Sequence, residues 1–243
     1  MAIHFNTLEK LYNLKDKLKN LDIIFIGNHS PAFDEIPNHL MKKLKIDSTL
    51  KKNHKHKTEN LIKIIKDMGY RKISFLDNFK AKNIDYTIDL SKEKSAEEIN
   101  KKFGVVIDNG TSIYATNIFN AINNIVSITD DDGYLITGTD PMSFNRFPYS
   151  PSPENLIDYM LTKKLECMSC NLGIYKNNIE IIEKKYPINF KLKHYPIYKS
   201  LNNLEFFHYL KYIFFDYFFS KKISKAFDVT EFKESKFNDF KKY

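Results

Sequence analysis

The sequence predicts an α/β fold with a doubly wound, mostly parallel sheet. Short apolar runs near residues 22–26, 72–76, 84–88, 103–108 and 133–138 alternate with stretches of helical periodicity. This alternation is typical of βαβ units, which place helices on both faces of a parallel sheet. Polar or glycine residues follow the runs, and in open sheets of this kind ligands bind outside the carboxyl ends of the strands.

The stretch FGVVIDNGTSIYATN, residues 103 to 117, is the centre of this prediction. The run Val105–Ile107 is apolar without alternation, as expected of a strand buried on both faces. It ends at Asp108, Asn109 and Gly110, and helical spacing follows over residues 117–128. Asp108 to Thr111 would therefore lie at the ligand-binding edge of the sheet. The alternative is that they form only a tight β-to-α turn.

The first strand, at 22–26, ends in Gly27-Asn28-His29. A glycine after the first strand lets a ligand approach the backbone closely, although the three-glycine dinucleotide fingerprint is absent. His29 is either a turn residue or a catalytic candidate.

Acidic residues follow the next two strands. Asp77 ends the run at 72–76, where a carboxylate can accept hydrogen bonds from ribose hydroxyls. Asp89 ends the run at 84–88, and the fifth strand leads to Asp140 after a predicted turn at Asp130–Gly133. Four strand ends thus carry candidate binding residues.

Helical spacing predicts six helices. They cover residues 7–19, 32–45, 58–68 (capped by Thr58 and closed by Gly69), 92–101, 117–128 and a segment starting at Ser152 or Pro153. The Pro-rich stretch 141–153 between the last two has the length of a loop that covers a substrate.

The C-terminal part is predicted to add antiparallel edge strands, at 168–175 and 188–198, and a helix at 204–219 that is rich in aromatic residues. Residues 1–200 form the α/β domain in this scheme. Residues 201–243 form a helical appendage, which belongs to the same domain or to an interface. The apolar surface of that helix could dock on the domain, form a homodimer or lie on a membrane.

The formal net charge is +8 and the pI is about 9.1. Arg71 and Arg146 are the only arginines, and lysine supplies every other basic residue. Because arginine is the usual residue for bidentate contacts with phosphates and bases, this diffuse lysine charge argues against nucleic acid as a partner.

The sequence predicts no metal site. Cys167 and Cys170 are the only cysteines, and His54 and His56 lie between lysines without further ligands nearby. Two cysteines do not make a secreted disulfide scaffold, and the first residues lack an apolar leader, so a cytoplasmic protein is expected. No run is long and apolar enough for a membrane span. Peripheral contact with the inner face of the membrane is the alternative.

In the order of its motifs, the chain resembles class I S-adenosylmethionine (SAM)-dependent methyltransferases, closest to those of bacterial surface-polysaccharide clusters. Four motifs carry the resemblance: Val106-Ile107-Asp108-Asn109-Gly110-Thr111, Leu76-Asp77, Asp89-Leu90 and the Tyr149–Glu154 stretch before a helix. Together they span roughly residues 20 to 165.

The resemblance implies SAM as the cofactor. Gly27, with Asn28, would lie under its methionine and ribose part, Asp77 would hold the ribose hydroxyls, and Asp89 would lie near the adenine amine. Asp108, Asn109 and Gly110 would face the sulfonium end.

The resemblance also implies methyl transfer to a hydroxyl or amine, on a surface-glycan sugar or its precursor. The family usually has Leu-Glu-His after Gly-Thr, where this chain has Ser112, Ile113 and Tyr114. Tyr114, Asp140 and His29 are the remaining candidates for a catalytic base. The alternative is a catalytically degenerate binding or structural protein that pairs with an active relative.

Overall fold

A computed structural model describes residues 2–3, 5–31, 33, 36, 38–47, 57–139, 153–176, 180–181, 184–185 and 213–221. The helices in these ranges are α1 (Phe5–Asn13), α2 (Lys15–Leu18), α3 (Asn38–Lys43), α4 (Thr58–Asp67), α5 (Ile118–Ser127) and α6 (Pro153–Thr162), with 3₁₀ helices at Ser95–Ile99 and Ser112–Tyr114.

The strands in the same ranges are β1 (Ala2–Ile3), β2 (Ile23–Ile26), β3 (Ser30–Pro31), β4 (Ile73–Asp77), β5 (Tyr86–Thr87), β6 (Phe103–Asp108), β7 (Thr129–Thr139), β8 (Leu165–Lys176), β9 (Glu180–Ile181), β10 (Lys184–Lys185) and β11 (Ile213–Lys221). β1 and β3 form a separate parallel pair.

The main sheet has the order β10-β8-β11-β7-β6-β2-β4-β5, and β9 pairs with β8. The five strands from β5 to β7 are parallel, whereas β11 runs antiparallel to both β7 and β8. The first strand of the sheet, β2, therefore lies between β4 and β6. The chain places β4 and β5 on one side of β2 and then β6 and β7 on the other side. The crevice between β2 and β6 is therefore the topological switch point of a doubly wound sheet.

The predicted fold class is confirmed, including the central position of the strand at 22–26 next to 103–108. Successive residues of β2 point to opposite faces and pack into two separate cores. Ile24 and Ile26 contact the side of α5 and α6, while Ile23 and Phe25 contact the side of α1, α3 and α4. All four side chains are fully buried, which explains the unbroken apolar run.

The predicted helix at 204–219 is wrong where the structure describes it, because residues 213–221 form strand β11. A run that is apolar nearly all round suits a strand buried on both faces as well as a buried helix, and aromatic residues favour strands. Residues 204–212 lie outside the described residues, as does the predicted strand at 188–198. The division of the chain at residue 200 stays a prediction.

The predicted turn at 130–133 is also wrong, since these residues belong to β7. The pairing with β6 shifts from Phe103–Thr129 to Val105–Tyr134, so the chain accommodates extra residues in a bulge. Gly133 lies there, where a Cβ would be 2.9 Å from the carbonyl oxygen of Asp130. The bulge explains why a polar, glycine-containing segment lies within a strand.

Three predicted helices are shorter than expected. The segment 7–19 is divided into α1 and α2 at Leu14, and 32–45 contains α3 alone among its described residues. The segment 92–101 contains only the 3₁₀ helix at 95–99, because Lys94 and Asn100 on either side have positive φ values that end helical structure. In the part of the chain that the structure describes, no helix meets the length and apolarity needed to cross a bilayer.

Removal of β11 should prevent folding. Truncation after Asn203 deletes a strand that pairs along most of its length with both β7 and β8, so we expect aggregated protein. A Tyr217→Pro variant should have the same effect, because proline cannot donate a backbone hydrogen bond within a central strand. Tyr217→Phe, which keeps the backbone donor, is the control. Soluble yield and size-exclusion chromatography measure the outcome; a soluble, folded truncated protein would contradict the placement of β11.

Candidate functional site

A cavity of about 610 Å³ lies at the carboxyl ends of β2, β4 and β6, beside the residues that follow β5. This volume is within the range of small-molecule sites. The described residues that line it are Asn28, Leu76, Asp77, Asn78, Phe79, Ile88, Asp89, Leu90, Ser91, Thr111, Ser112, Tyr114, Ala115 and Thr116. They come from four separate loops that the parallel sheet brings to one edge.

Asp77 is the last residue of β4 and joins two of these loops. Its Oδ2 accepts a hydrogen bond from the backbone nitrogen of Asn28 at 2.8 Å. Its Oδ1 accepts a longer one from the backbone nitrogen of Phe79 at 3.3 Å. A carboxylate has about four lone-pair sites, so Asp77 keeps acceptor capacity for a ligand.

Thr58 fixes the side chain of Asn28. The Thr58 hydroxyl donates to Asn28 Oδ1 at 2.6 Å. Thr58 was predicted to cap α4, but that position belongs to Lys57, and Thr58 is the first helical residue. The N-terminus of α4 is thereby tied to the loop after β2, and the loop in turn to Asp77.

Asp89 lies in a loop that α5 holds in place. Its Oδ1 accepts from the backbone nitrogen of Ser91 at 3.0 Å. The buried side chain of Asn124 donates to the carbonyl oxygens of Leu90 and Lys92 at 2.9 and 2.7 Å and accepts from the backbone nitrogen of Ala96 at 3.2 Å. A buried amide that bonds to this many partners gives the loop a defined shape.

The cavity combines polar lining residues with buried apolar side chains and two exposed aromatic ones. Leu76, Ile88 and Leu90 are buried, whereas Phe79 is 73% exposed and Tyr114 is 37% exposed. Such exposed aromatic side chains beside a cavity can cover a flat ring that enters it.

Gly27 does not line the cavity, because Thr111 covers it. Gly27 has a φ of +101°, and a Cβ at this position would lie 2.5 Å from Thr111 Oγ1. That hydroxyl donates to the carbonyl oxygen of Ile26 at 2.5 Å. His29 is fully buried behind it, and its Nε2 donates to the same carbonyl at 2.7 Å. His29 therefore faces the backbone of its own turn instead of the cavity.

Asp108 forms the turn after β6. Its Oδ1 accepts from the backbone nitrogens of Thr111 and Ser112 at 2.8 and 3.1 Å, and its Oδ2 accepts from the hydroxyls of Ser112 and Thr137. The side chain is almost fully buried. Burial raises the pKa of the Asp108 carboxyl, and these hydrogen bonds oppose the shift.

Asn109 and Gly110 complete this turn. Asn109 is buried, and its Oδ1 accepts from the Thr7 hydroxyl on α1 at 2.7 Å. Gly110 has a φ of +84°, which a residue with a side chain rarely adopts. For residues 108–110, the alternative of a tight β-to-α turn therefore describes the geometry.

Of the residues predicted from the sequence, the structure brings Asn28, Asp77, Asp89 and Tyr114 together on one cavity. Five others lie behind it: Gly27, His29, Asp108, Asn109 and Gly110. Asp140 lies outside the described residues. Thr111, which was expected at this edge of the sheet, also lines the cavity. Sequence reasoning missed Phe79 and Ser91 as lining residues, although each follows a predicted site residue by two positions.

Electrostatically, the cavity differs from the rest of the protein. Asp77 and Asp89 are its charged residues, and none of the described lining residues is basic, although the whole chain carries a formal charge of +8. Within the described ranges, no group of His, Cys, Asp and Glu is arranged to hold a metal ion.

No protein-family model matches the chain, and neither does any curated protein sequence. Solved structures of similar outline include the N-methyltransferase NodS from Bradyrhizobium japonicum, in complex with S-adenosylhomocysteine (SAH). The identity is 12%, the TM-score is 0.43, and the match covers 87% of this chain and 86% of that one.

A SAM-dependent methyltransferase from Thermotoga maritima matches at 14% identity with a TM-score of 0.38, covering 90% of this chain and 96% of its own. TehB from Haemophilus influenzae matches at 12% identity with a TM-score of 0.45, covering 90% and 63%. At these identities and scores, the likeness transfers no activity to this chain.

The role of Asp108 as a turn former predicts the effect of its substitution. Asp108→Ala leaves the backbone donors of Thr111 and Ser112 without acceptors, at a cost of about 1–3 kcal/mol each. Asp108→Asn keeps one oxygen for those donors, and its amide can donate to the two hydroxyls, so we expect it to be at least as stable as wild type at pH 7. Urea unfolding measures both; equal losses in the two variants would contradict this role.

Wild type and Asp108→Asn should also differ in how their stability depends on pH. Because the folded-state pKa of Asp108 is raised above 3.8, the folded protein binds this proton more readily than the unfolded chain. The stabilisation is complete below pH 3.8 and is lost as the pH rises through the raised pKa. Asp108→Asn should lack this loss. The free energy of unfolding of Asp108→Asn minus that of wild type should therefore increase from acid to neutral pH. A difference that is constant over this range would contradict the raised pKa of Asp108.

Proposed function

We propose that this protein binds SAM in the cavity and transfers the methyl group to a hydroxyl or amine of an acceptor molecule. The acceptor that the resemblance suggests is a surface-glycan sugar or its precursor.

The charge of the cavity is the observation that supports this proposal most directly. Dinucleotides and nucleoside phosphates carry negative charge, and proteins bind them with glycine-rich loops, helix N-termini and basic side chains. The described lining has two carboxylates and no basic residue, which favours a ligand that joins a nucleoside to a cationic group. SAM has this composition.

The lining residues also fit the nucleoside in detail. Asp77, at the end of β4, has acceptor capacity for two ribose hydroxyls and is held by Asn28. Ile88 and Leu90 offer apolar contacts for a base, and Asp89 lies beside them as an acceptor for an exocyclic amine. When bound, SAM would supply an activated methyl group on its sulfonium.

Tyr114 is the described residue best placed to relay the proton that the acceptor loses, because its hydroxyl can accept that proton while it donates its own to solvent. It is partly exposed on the rim of the cavity, where its hydroxyl could contact both solvent and an acceptor. His29 is a poor candidate, since its side chain is fully buried and its Nε2 donates to a backbone carbonyl.

A catalytically degenerate binding protein is the second candidate function. It is favoured by the turn after β6, in which Asp108 and Asn109 are taken up by contacts within the protein. Such a protein would bind the nucleoside and pair with an active relative. A protein-protein contact through residues 204–219, a cytoplasmic location and contact with the inner face of the membrane all remain proposals.

Isothermal titration with SAM and SAH tests the function, with ATP and NAD⁺ as phosphate-bearing comparisons. We expect the first two to bind and the latter two to bind more weakly or not at all. Absence of SAM and SAH binding at millimolar concentration would contradict the proposal. Binding without methyl transfer to sugar or amine acceptors would favour the degenerate alternative.

Substitution of Asp77 tests the site itself. Asp77→Ala should weaken SAM binding by about 1.5–3 kcal/mol, or about 10- to 150-fold in Kd, as expected when a charged acceptor is removed. Asp77→Asn keeps an oxygen for the backbone nitrogen of Asn28, so it isolates the contribution of the charge. Asp67→Asn, on the exposed end of α4, is the matched control. Unchanged affinity in both Asp77 variants would exclude this cavity as the site.

A further inference from the structure

The side chain of Thr111 closes the crevice between the ends of β2 and β6. Its Oγ1 donates to the carbonyl oxygen of Ile26 at 2.5 Å. Its Cγ2 would lie 3.4 Å from a Cβ placed on Gly27. One threonine from the turn after β6 thus fills the space that the glycine after β2 leaves open.

This crevice is where a doubly wound sheet ordinarily admits its ligand, because the loops on either side of the switch point separate there. In this protein the cavity is displaced from the switch point. It extends from Thr111 past Asn28 toward Asp77 and Asp89, at the ends of the outer parallel strands. Gly27, on the far side of Thr111, does not reach it.

The threonine is held firmly in this position. Its backbone nitrogen donates to the buried carboxylate of Asp108 at 2.8 Å. Behind it, Asn109 is bonded to Thr7 of α1. Thr111 therefore forms a fixed wall of the cavity on the side of the switch-point crevice.

We propose that Thr111 is a specificity-determining residue, which fills the switch-point crevice so that the nucleoside half of the ligand supplies most of the affinity. The proposal rests on the proposed function, because it concerns the same cavity and the same ligand. The part of SAM beyond the ribose would gain little from the space next to Gly27 while the threonine occupies it.

A series of ligands that differ in length beyond the ribose tests this. Adenosine, SAH and SAM are titrated into wild type, Thr111→Ala and Thr111→Ser by calorimetry. Wild type should bind adenosine and SAH with Kd values within about threefold of each other. In Thr111→Ala, SAH and SAM should gain about tenfold relative to adenosine, which corresponds to about one additional hydrogen bond.

Thr111→Ser is the matched control, since serine keeps the hydroxyl over Gly27 and should retain the wild-type ratio. Thr111→Ala should fold, because the carbonyl of Ile26 still accepts from His29 Nε2 at 2.7 Å; thermal unfolding checks this.

A wild type that prefers SAH over adenosine by about 100-fold or more, some 2.7 kcal/mol, would overturn the proposal. An equal change in all ligands on Thr111→Ala would overturn it as well. In both cases the proposed function stands, because the cavity still binds the nucleoside. If wild type binds none of the three ligands, the proposed function fails and this proposal fails with it.

Discussion

One buried carboxylate, that of Asp108, determines the shape of the loop after β6, and the site is built around that loop. Four hydrogen-bond donors converge on it, two from the backbone and two from hydroxyls. Together they turn the chain sharply as it leaves the sheet. Thr111 is thereby directed onto Gly27, and the 3₁₀ helix at 112–114 presents Tyr114 to the cavity. The Asp108 carboxylate therefore shapes the loop that lines the cavity, although its position in the sequence suggested direct contact with a ligand.

The parallel part of the sheet could be predicted from the sequence because burial on both faces leaves an unambiguous trace. Residues 23–26 and 103–107 contain no polar side chain, and the ends of these runs locate the ligand-binding edge. Asp77 and Asp89 could be placed for the same reason, since each directly follows an apolar run of the sequence. The β11 segment could not be assigned, because an apolar run of its length satisfies the helical and the extended pattern equally. The sequence also could not predict the direction of a side chain at a strand end: Asp77 lines the cavity, whereas Asp108 is buried inside the protein.

Several lysines of the described structure are paired with acidic residues away from the cavity. Lys72 and Lys101 pair with Asp22 just before β2, and Lys102 pairs with Asp131 in the β7 bulge, all at the opposite edge of the sheet. Lys221, at the end of β11, donates to the carbonyl oxygens of Val126 and Thr129 at 3.1 and 2.7 Å. Val126 is in the last turn of α5, where a cation is favourable. This lysine links the antiparallel strand to the helix that also holds the Asp89 loop.

The same α/β frame thus supports two readings of function that differ at one position. On the side of the cavity where we propose that the nucleoside binds, Asp77 and Asp89 are held in place by hydrogen bonds from the backbone nitrogens of Asn28 and Ser91. The switch-point side is filled by Thr111, whose backbone is fixed by Asp108. A transferase must align an acceptor with the reacting end of its cofactor to within a fraction of an ångström, whereas a binding protein requires only the nucleoside contacts. The described lining continues past Thr111 along the chain through Ser112, Tyr114, Ala115 and Thr116, and a transferase would have to hold the reacting end of its cofactor against these residues.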